Sequence, residues 1–262
     1  AGDVTLTGTQ TLTNKTLTSP KIGTSILDTN GLQLALLTAT GSAVNEFTIA
    51  NAASGAGPIL SATGDETNVD INLNPKGSGV LKSATAAIKI AGTETIWVPS
   101  VAMYPATSNG CAALAQVELT AQTPEVKSLD FDTSSDEYAQ FAVAMPKSWN
   151  EGTVTFQSYW SVSGTNAGTV CFAMQGVAVS SDDTLDVAMG TAVPNTALAA
   201  SGTTNDLMVN AVSGAITIAG TPAAGDECFF NIYRDVSADD QTADARLVGV
   251  KLFFTTNAAN DA

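Results

Sequence analysis

The sequence predicts an all-β chain in three parts: an extended N-terminal anchor over 1–30, a short β-prism-like neck over 31–95, and a C-terminal antiparallel, jelly-roll-like β-sandwich over 96–262, assembled as a trimer. Three observations lead there. Ala, Val, Thr, Ser, Gly and Asn dominate a chain in which only 13% of residues are charged, and that mixture favours strands joined by tight turns. Beyond residue 96, apolar and polar residues alternate through one run after another, with no sustained 3.6-residue period to compete. Before it, the strand-like runs are too short for a stable monomeric sheet, whereas three copies around an axis bury such faces mutually.

In the first part Thr-Leu-Thr recurs at 5–7, 11–13 and 16–18, so Leu6, Leu12 and Leu17 stand six and five residues apart. Neither one helix face nor one strand face holds that spacing. The β-branched Thr residues disfavour helix, and the TNK and TSP steps supply turns, giving a chain of short extended pieces. Alone, such a segment buries too little apolar surface to offset its ordering entropy. Leu6, Leu12, Leu17 and Ile22 are therefore the expected anchor contacts, against sister chains or a larger particle.

The neck opens with GLQLALLTATGSAVNE (31–46), read as strand, and continues with FTI (47–49), PILSAT (58–63), VDINLNP (69–75) and GVLKS (79–83), each bounded by Gly, Asn, Asp or Pro. Val69, Ile71 and Leu73 alternate with Asp70, Asn72 and Asn74, which makes the first three the expected packing face of the trimer. Residues 84–95 read as a connector. All three Trp and all four Tyr lie beyond it, so the aromatic core begins there.

The third part carries eight strong strand candidates, at 95–100, 115–121, 128–133, 137–145, 152–162, 168–180, 226–236 and 243–256. In the fifth, Val154, Phe156, Ser158 and Trp160 share one face. A hairpin is expected from 206–211 and 215–220 around Val212–Gly214, and one short helix is weighed for DDTLDVAMG (182–190). Pro146 to Gly152 reads as a turn, with Trp149 either a lid over the sandwich edge or a surface contact. Strands of this length without helical crossovers point to an antiparallel sandwich.

Composition narrows the function. Net charge is −15, carried by 25 acids against 10 basic residues, with 18 of the acids beyond residue 100. Such a surface repels nucleic acid and anionic lipid. No window of eighteen apolar residues exists, and AGDVTLTGTQ lacks the basic and apolar regions of a signal peptide, so membrane insertion is not expected. Cys111, Cys171 and Cys228 lack metal-ligand spacing and read as small buried hydrophobes, with a Cys171–Cys228 bridge left open. Arg246 and Lys251 are expected to pair with acids.

With no His in the chain, Ser-His-Asp and Cys-His systems and the common His-containing metal sites are excluded, and no phosphate-binding or nucleophile-elbow motif is present. A carboxylate mechanism needs only two acids across a sugar bond, for which Asp130, Asp132, Asp136, Glu137 and Glu151 are the candidates. A solvated acidic face explains them better. No cofactor is expected. Asp182, Asp183 and Asp186, with Asp239, Asp240 and Asp244, are weak Ca²⁺ candidates, since neither cluster follows a calcium-loop pattern.

The strings TLTGTQTLTNKTLTSPKI (5–22) and VDINLNPKGSGVLK (69–82) resemble segments of tail-fibre and other virion structural proteins of marine bacteriophages. LDFDT (129–133), QFAVAMPKSWNEGTVTFQSYW (140–160), ITIAGTP (216–222) and DARLVGVKLFFT (244–255) look like a domain of the same proteins. The resemblance implies a non-enzymatic homotrimer at the virion surface, made in the host cytoplasm and docked through its N-terminus on capsid or tail proteins. Its tip would attach to a host surface glycan or protein. Head fibre or spike, tail fibre and adhesin all fit. Two alternatives stand beside it: a capsid decoration protein without a receptor role, and a carbohydrate-binding module using Trp97, Trp149, Trp160 and Tyr159.

Overall fold

A computed structural model describes residues 13, 14, 16, 18–84, 92–223 and 225–256. The chain divides into two compact units, Ala1–Leu81 and Lys82–Ala262. Among the described residues it is all-β, apart from one 3-10 turn at Ser100–Ala102.

The first unit contains two hairpins. Strand β1 (Ser25–Leu27) pairs antiparallel with β2 (Gln33–Leu36), and β3 (Asn45–Ala50) with β4 (Ile59–Gly64). The first turn is closed by the Asp28 carboxylate, which accepts from the backbone N–H groups of Asn30 and Leu32, both at 2.9 Å. Gly31 follows Asn30 at φ +80°, a conformation that costs glycine nothing. The strands expected over 69–75 and 79–83 are not formed: within the single chain nothing offers them a ladder partner, and a strand exists only by pairing.

The second unit is a β-sandwich. Its strands are β5 (Gly92–Pro99), β6 (Tyr104–Pro105), β7 (Ala115–Val117), β8 (Val126–Phe131), β9 (Tyr138–Ala144), β10 (Trp149–Ser161), β11 (Thr169–Val170), β12 (Phe172–Val179), β13 (Val193–Pro194), β14 (Leu198–Ala199), β15 (Met208–Val209), β16 (Glu227–Arg234) and β17 (Ala245–Thr256). One sheet runs β15-β10-β17-β8-β7, with β5 paired to the far half of β17 beyond β8. The other runs β13-β12-β16-β9-β6. Every pairing between these strands is antiparallel. Because Gly92 already pairs with Thr256, the sandwich takes in the end of the expected neck.

The alternation read from the sequence is what fills the core. Val154, Phe156, Ser158 and Trp160 are all buried along β10, facing Phe141, Phe172, Met174, Phe230 and Ile232 of the other sheet. Phe131 meets Phe172 edge to face at 5.5 Å, and Phe141 stacks on Phe230 at 5.1 Å. A bulge opposite Tyr159 and Trp160 shifts the phase of β17, so that Gly249 and Val250 are both buried.

Three local expectations are corrected. Residues 206–220 form no hairpin: Met208–Val209 pairs with β10, Ile216 bridges Val154, and Ala219 bridges Val177 in the opposite sheet. The segment crosses between the layers, because both of its halves bury apolar residues against strands already in place. Residues 182–190 form turns and loop, with Leu185 74% exposed, since nothing packs the apolar stripe a helix there would present. Trp149 is 2% exposed and begins β10, so it serves as core and not as a surface contact; the bulge at 150–153, with Glu151 at φ +63°, turns it inward.

Candidate functional site

In the first unit the hydrophobic side chains have nowhere to go. Among the described residues, no hydrophobic residue before Val98 is buried. On the β3–β4 hairpin, Phe47 lies opposite Ala62 and Ile49 opposite Leu60, giving one apolar face. The other face is polar and self-satisfied, with Thr48 and Thr63 hydroxyls 2.8 Å apart and Thr63 donating to the Glu46 carboxylate at 3.0 Å. Ile49 is 82% exposed, and Leu32, Leu34 and Leu36 stand out from β2 and its approach in the same way. Of the expected contact residues, Leu6, Leu12 and Leu17 lie outside the described residues. Ile22, Ile71 and Leu73 are exposed and Val69 is half-buried.

On the outer face of the first sheet, the Trp97 indole lies against the backbone of β17. A Cβ at Gly249 would come within 2.7 Å of that ring, so glycine makes the close approach possible. Tyr159 meets Trp97 edge to face at 5.1 Å, and the Lys251 ammonium sits 5.3 Å from the Tyr159 ring centroid. Lys251 thus takes an aromatic partner where an acid was expected, while Arg246 does pair with Asp130, at 3.6 Å. Of the four aromatics read as binding candidates, Trp149 and Trp160 are buried and Trp97 and Tyr159 form this half-open platform.

The outer face of the second sheet carries a cleft of about 500 Å³ that reasoning from sequence missed. Its floor is Tyr104, Tyr138, Gln140 and Asn231, and its wall is the loop Pro105–Ser108. Tyr104 pairs with Gln140, Gln140 with Asn231 and Asn231 with Gln175, so these four form one row across β6, β9, β16 and β12. Tyr233 flanks Tyr138 at 4.9 Å. The wall is pinned at both ends to one residue: Ala106 and Cys111 N–H groups donate to the Tyr138 carbonyl, at 3.0 and 3.2 Å, and Tyr138 N–H donates to Asn109 at 2.8 Å. Gly110 permits this, since a Cβ there would sit 2.0 Å from the Ala106 carbonyl oxygen.

Four of the five carboxylates weighed for catalysis are committed to structure, while Glu151 stands exposed on the bulge of β10. Asp130 accepts from Ser128 at 2.7 Å, Asp136 from the Val236 N–H at 3.1 Å and Glu137 from the Asp132 N–H at 2.8 Å. Hydrogen bonds from the Ser134 hydroxyl and N–H hold the Asp132 carboxyl below its ordinary range. Among the described residues, no group of three or more Cys, Asp or Glu is gathered to hold a metal. Asp183 instead accepts from the Ser180 N–H at 3.0 Å, Asp239 pairs with Arg234 at 2.7 Å and Asp240 accepts from the Thr169 hydroxyl at 2.8 Å. The three cysteines are free and buried; burial pushes Cys111 and Cys228 up to about 12 and Cys171 up to about 11.

No protein-family model matches the sequence, and no curated protein matches it. Solved structures that match this chain in part include the C-terminal carbohydrate-binding module of a marine laminarinase from Zobellia galactanivorans, at 10% identity and TM-score 0.32, covering 61% of this chain and 98% of that one. Another is a module from Caldicellulosiruptor saccharolyticus in complex with mannohexaose, at 8% identity and TM-score 0.33, covering 60% and 96%. A third is the family 11 carbohydrate-binding module from Clostridium thermocellum in complex with a mixed-linked tetrasaccharide, at 10% identity and TM-score 0.32, covering 67% and 90%. Similarity this shallow transfers neither a binding site nor an activity.

Proposed function

We propose that this chain is a non-enzymatic structural subunit of a bacteriophage virion, a homotrimeric fibre or spike that docks on the particle through its N-terminus and presents the sandwich outward for attachment. One observation carries this reading: the first unit holds amphipathic hairpins but no buried hydrophobic residue among those described. Two-stranded hairpins are marginal in water by themselves, and full burial of an aliphatic or aromatic side chain contributes roughly 1.5–3 kcal/mol. Sister copies that bring their apolar faces together supply that burial, and they also give the unpaired runs 69–75 and 79–83 partners with which to form a β-prism-like neck. The jelly-roll form of the sandwich and its location at the virion surface belong to the same proposal, which the phage-like strings of the sequence support.

The test is position on intact particles. Antibody against the sandwich should label the surface of purified phage, at head or tail, and absence of the protein from purified virions contradicts the proposal. Label at capsid lattice positions with no effect on adsorption would favour the decoration protein.

A second reading, carbohydrate binding, is favoured by the Trp97 and Tyr159 platform, where a flat half-open indole is held in place by Gly249. It is compatible with attachment and adds a ligand to it.

A further inference from the structure

We infer that the cleft on the outer face of the second sheet is a binding site for a neutral oligosaccharide, resting on the reading that the sandwich is the ligand-facing part of the protein. The cleft's lining contains no acid and no base, in a protein of net charge −15. A second hollow of about 260 Å³ continues it, sharing Tyr104 and Gln140 and adding Val177, Leu185, Val187 and Phe229, again without a charge. An uncharged groove amid acids does not select a cation, and it gives an anion no counter-charge.

What it offers instead is rings beside amides. Tyr104 is 49% exposed, and with Tyr138 it presents apolar faces on which the C–H face of a pyranose can lie. Between and beyond them, Gln140, Asn231 and Gln175 stand in one cross-strand row, and their side chains make no hydrogen bond among the described residues. The Asn231 Oδ1 is closed to solvent and has no donor inside the protein, so Gln140 is the carboxamide of the cleft floor that meets a ligand first. A sugar ring carries both halves of the match: a hydrocarbon face for the tyrosines and vicinal hydroxyls that donate to and accept from carboxamides.

The site is also preformed. Tyr104, Gln140 and Asn231 stand on paired strands, and the Pro105–Ser108 wall is clamped to the Tyr138 backbone at both ends through the turn that Gly110 allows. Little ordering remains to be done when a ligand arrives. The two hollows adjoin at Tyr104 and Gln140, which suits a chain of several sugars better than a monosaccharide.

Calorimetric titration of the intact protein with gluco-, manno- and galacto-hexaoses, and with a uronic-acid hexamer as a charged control, tests this. At least one neutral hexaose is expected to bind, with the uronate at least tenfold weaker. Tyr104→Ala and Gln140→Ala should each weaken binding tenfold or more at unchanged thermal melting, and Val212→Ala, at an exposed residue that lines neither hollow, should leave it within twofold. No binding to any neutral hexaose overturns the inference, as does binding lost only in Trp97→Ala, which would place the ligand on the opposite face. A correctly assembled trimer that binds none of these sugars sinks the cleft and leaves the assembly reading standing; a monomer that binds them does the reverse.

Discussion

Two buried polar groups show how single residues hold the sandwich. Asn210, fully buried, bonds Ser158 at 3.0 Å, the Trp160 indole, and the carbonyls of Val170 and Thr196 at 3.0 and 2.9 Å. Replacing it with Leu strands several of these at once. At roughly 1–3 kcal/mol for each unsatisfied group, Asn210→Leu should lower unfolding free energy in urea by at least about 3 kcal/mol. Arg234, equally buried, makes a two-pronged pair with Asp239, at 2.7 and 2.9 Å, and reaches the carbonyls of Phe131, Gln241 and Ala243. Arg234→Met leaves the Asp239 carboxylate buried alone, a change worth about 3–5 kcal/mol, and should lower the melting temperature more than Asp239→Asn does. The cysteines give a further check. Thiolate is the reactive form, and with Cys111 and Cys228 near 12 and Cys171 near 11, all buried, none should react with a thiol reagent at pH 8 until the protein unfolds. Rapid labelling of any of them in the native protein would show that the core around it opens.

At the scale of elements, alternation made much of the fold legible. All eight strong candidates of the sandwich contain strands, and Trp160 and Phe156 are buried on the face the period assigns them. What period could not reveal was where short segments go. Met208–Val209 and Ile216 look like a hairpin by spacing, yet each is claimed by a strand from elsewhere, because long-range ladders outweigh a local turn. Trp149, read from its turn-like neighbours as a lid or a surface contact, is brought into the core by a bulge. The cleft was invisible for a related reason: Tyr104, Gln140, Asn231 and Gln175 are far apart in sequence and meet only through strand order. The β3–β4 hairpin allows the sharpest test at this scale. Ile49→Asp places a charge on its exposed apolar face, where a monomer would tolerate it with a stability change under about 0.5 kcal/mol. If that face is buried between copies, the substitution should instead break the assembly while the sandwich keeps its melting temperature.

For the whole molecule, the two units follow opposite rules. The sandwich has an aromatic core of its own, with Trp97 and Tyr104 left at its surface, while among the described residues the first unit exposes nearly every large apolar side chain. The sequence carries a related contrast, since the aromatic content changes near residue 96 and the strand-like runs before it are short. Among the described residues no cluster of acids is gathered to hold a metal, so a chelator should leave thermal melting unchanged, and a drop of several degrees would reveal a cation site. The central claim is that the first unit exists to be covered by copies of itself. Sedimentation equilibrium of the intact protein measures this most directly. The account predicts a mass three times that of the chain, persisting to low concentration and lost in Ile49→Asp; a stable monomer whose first unit resists proteolysis would contradict it.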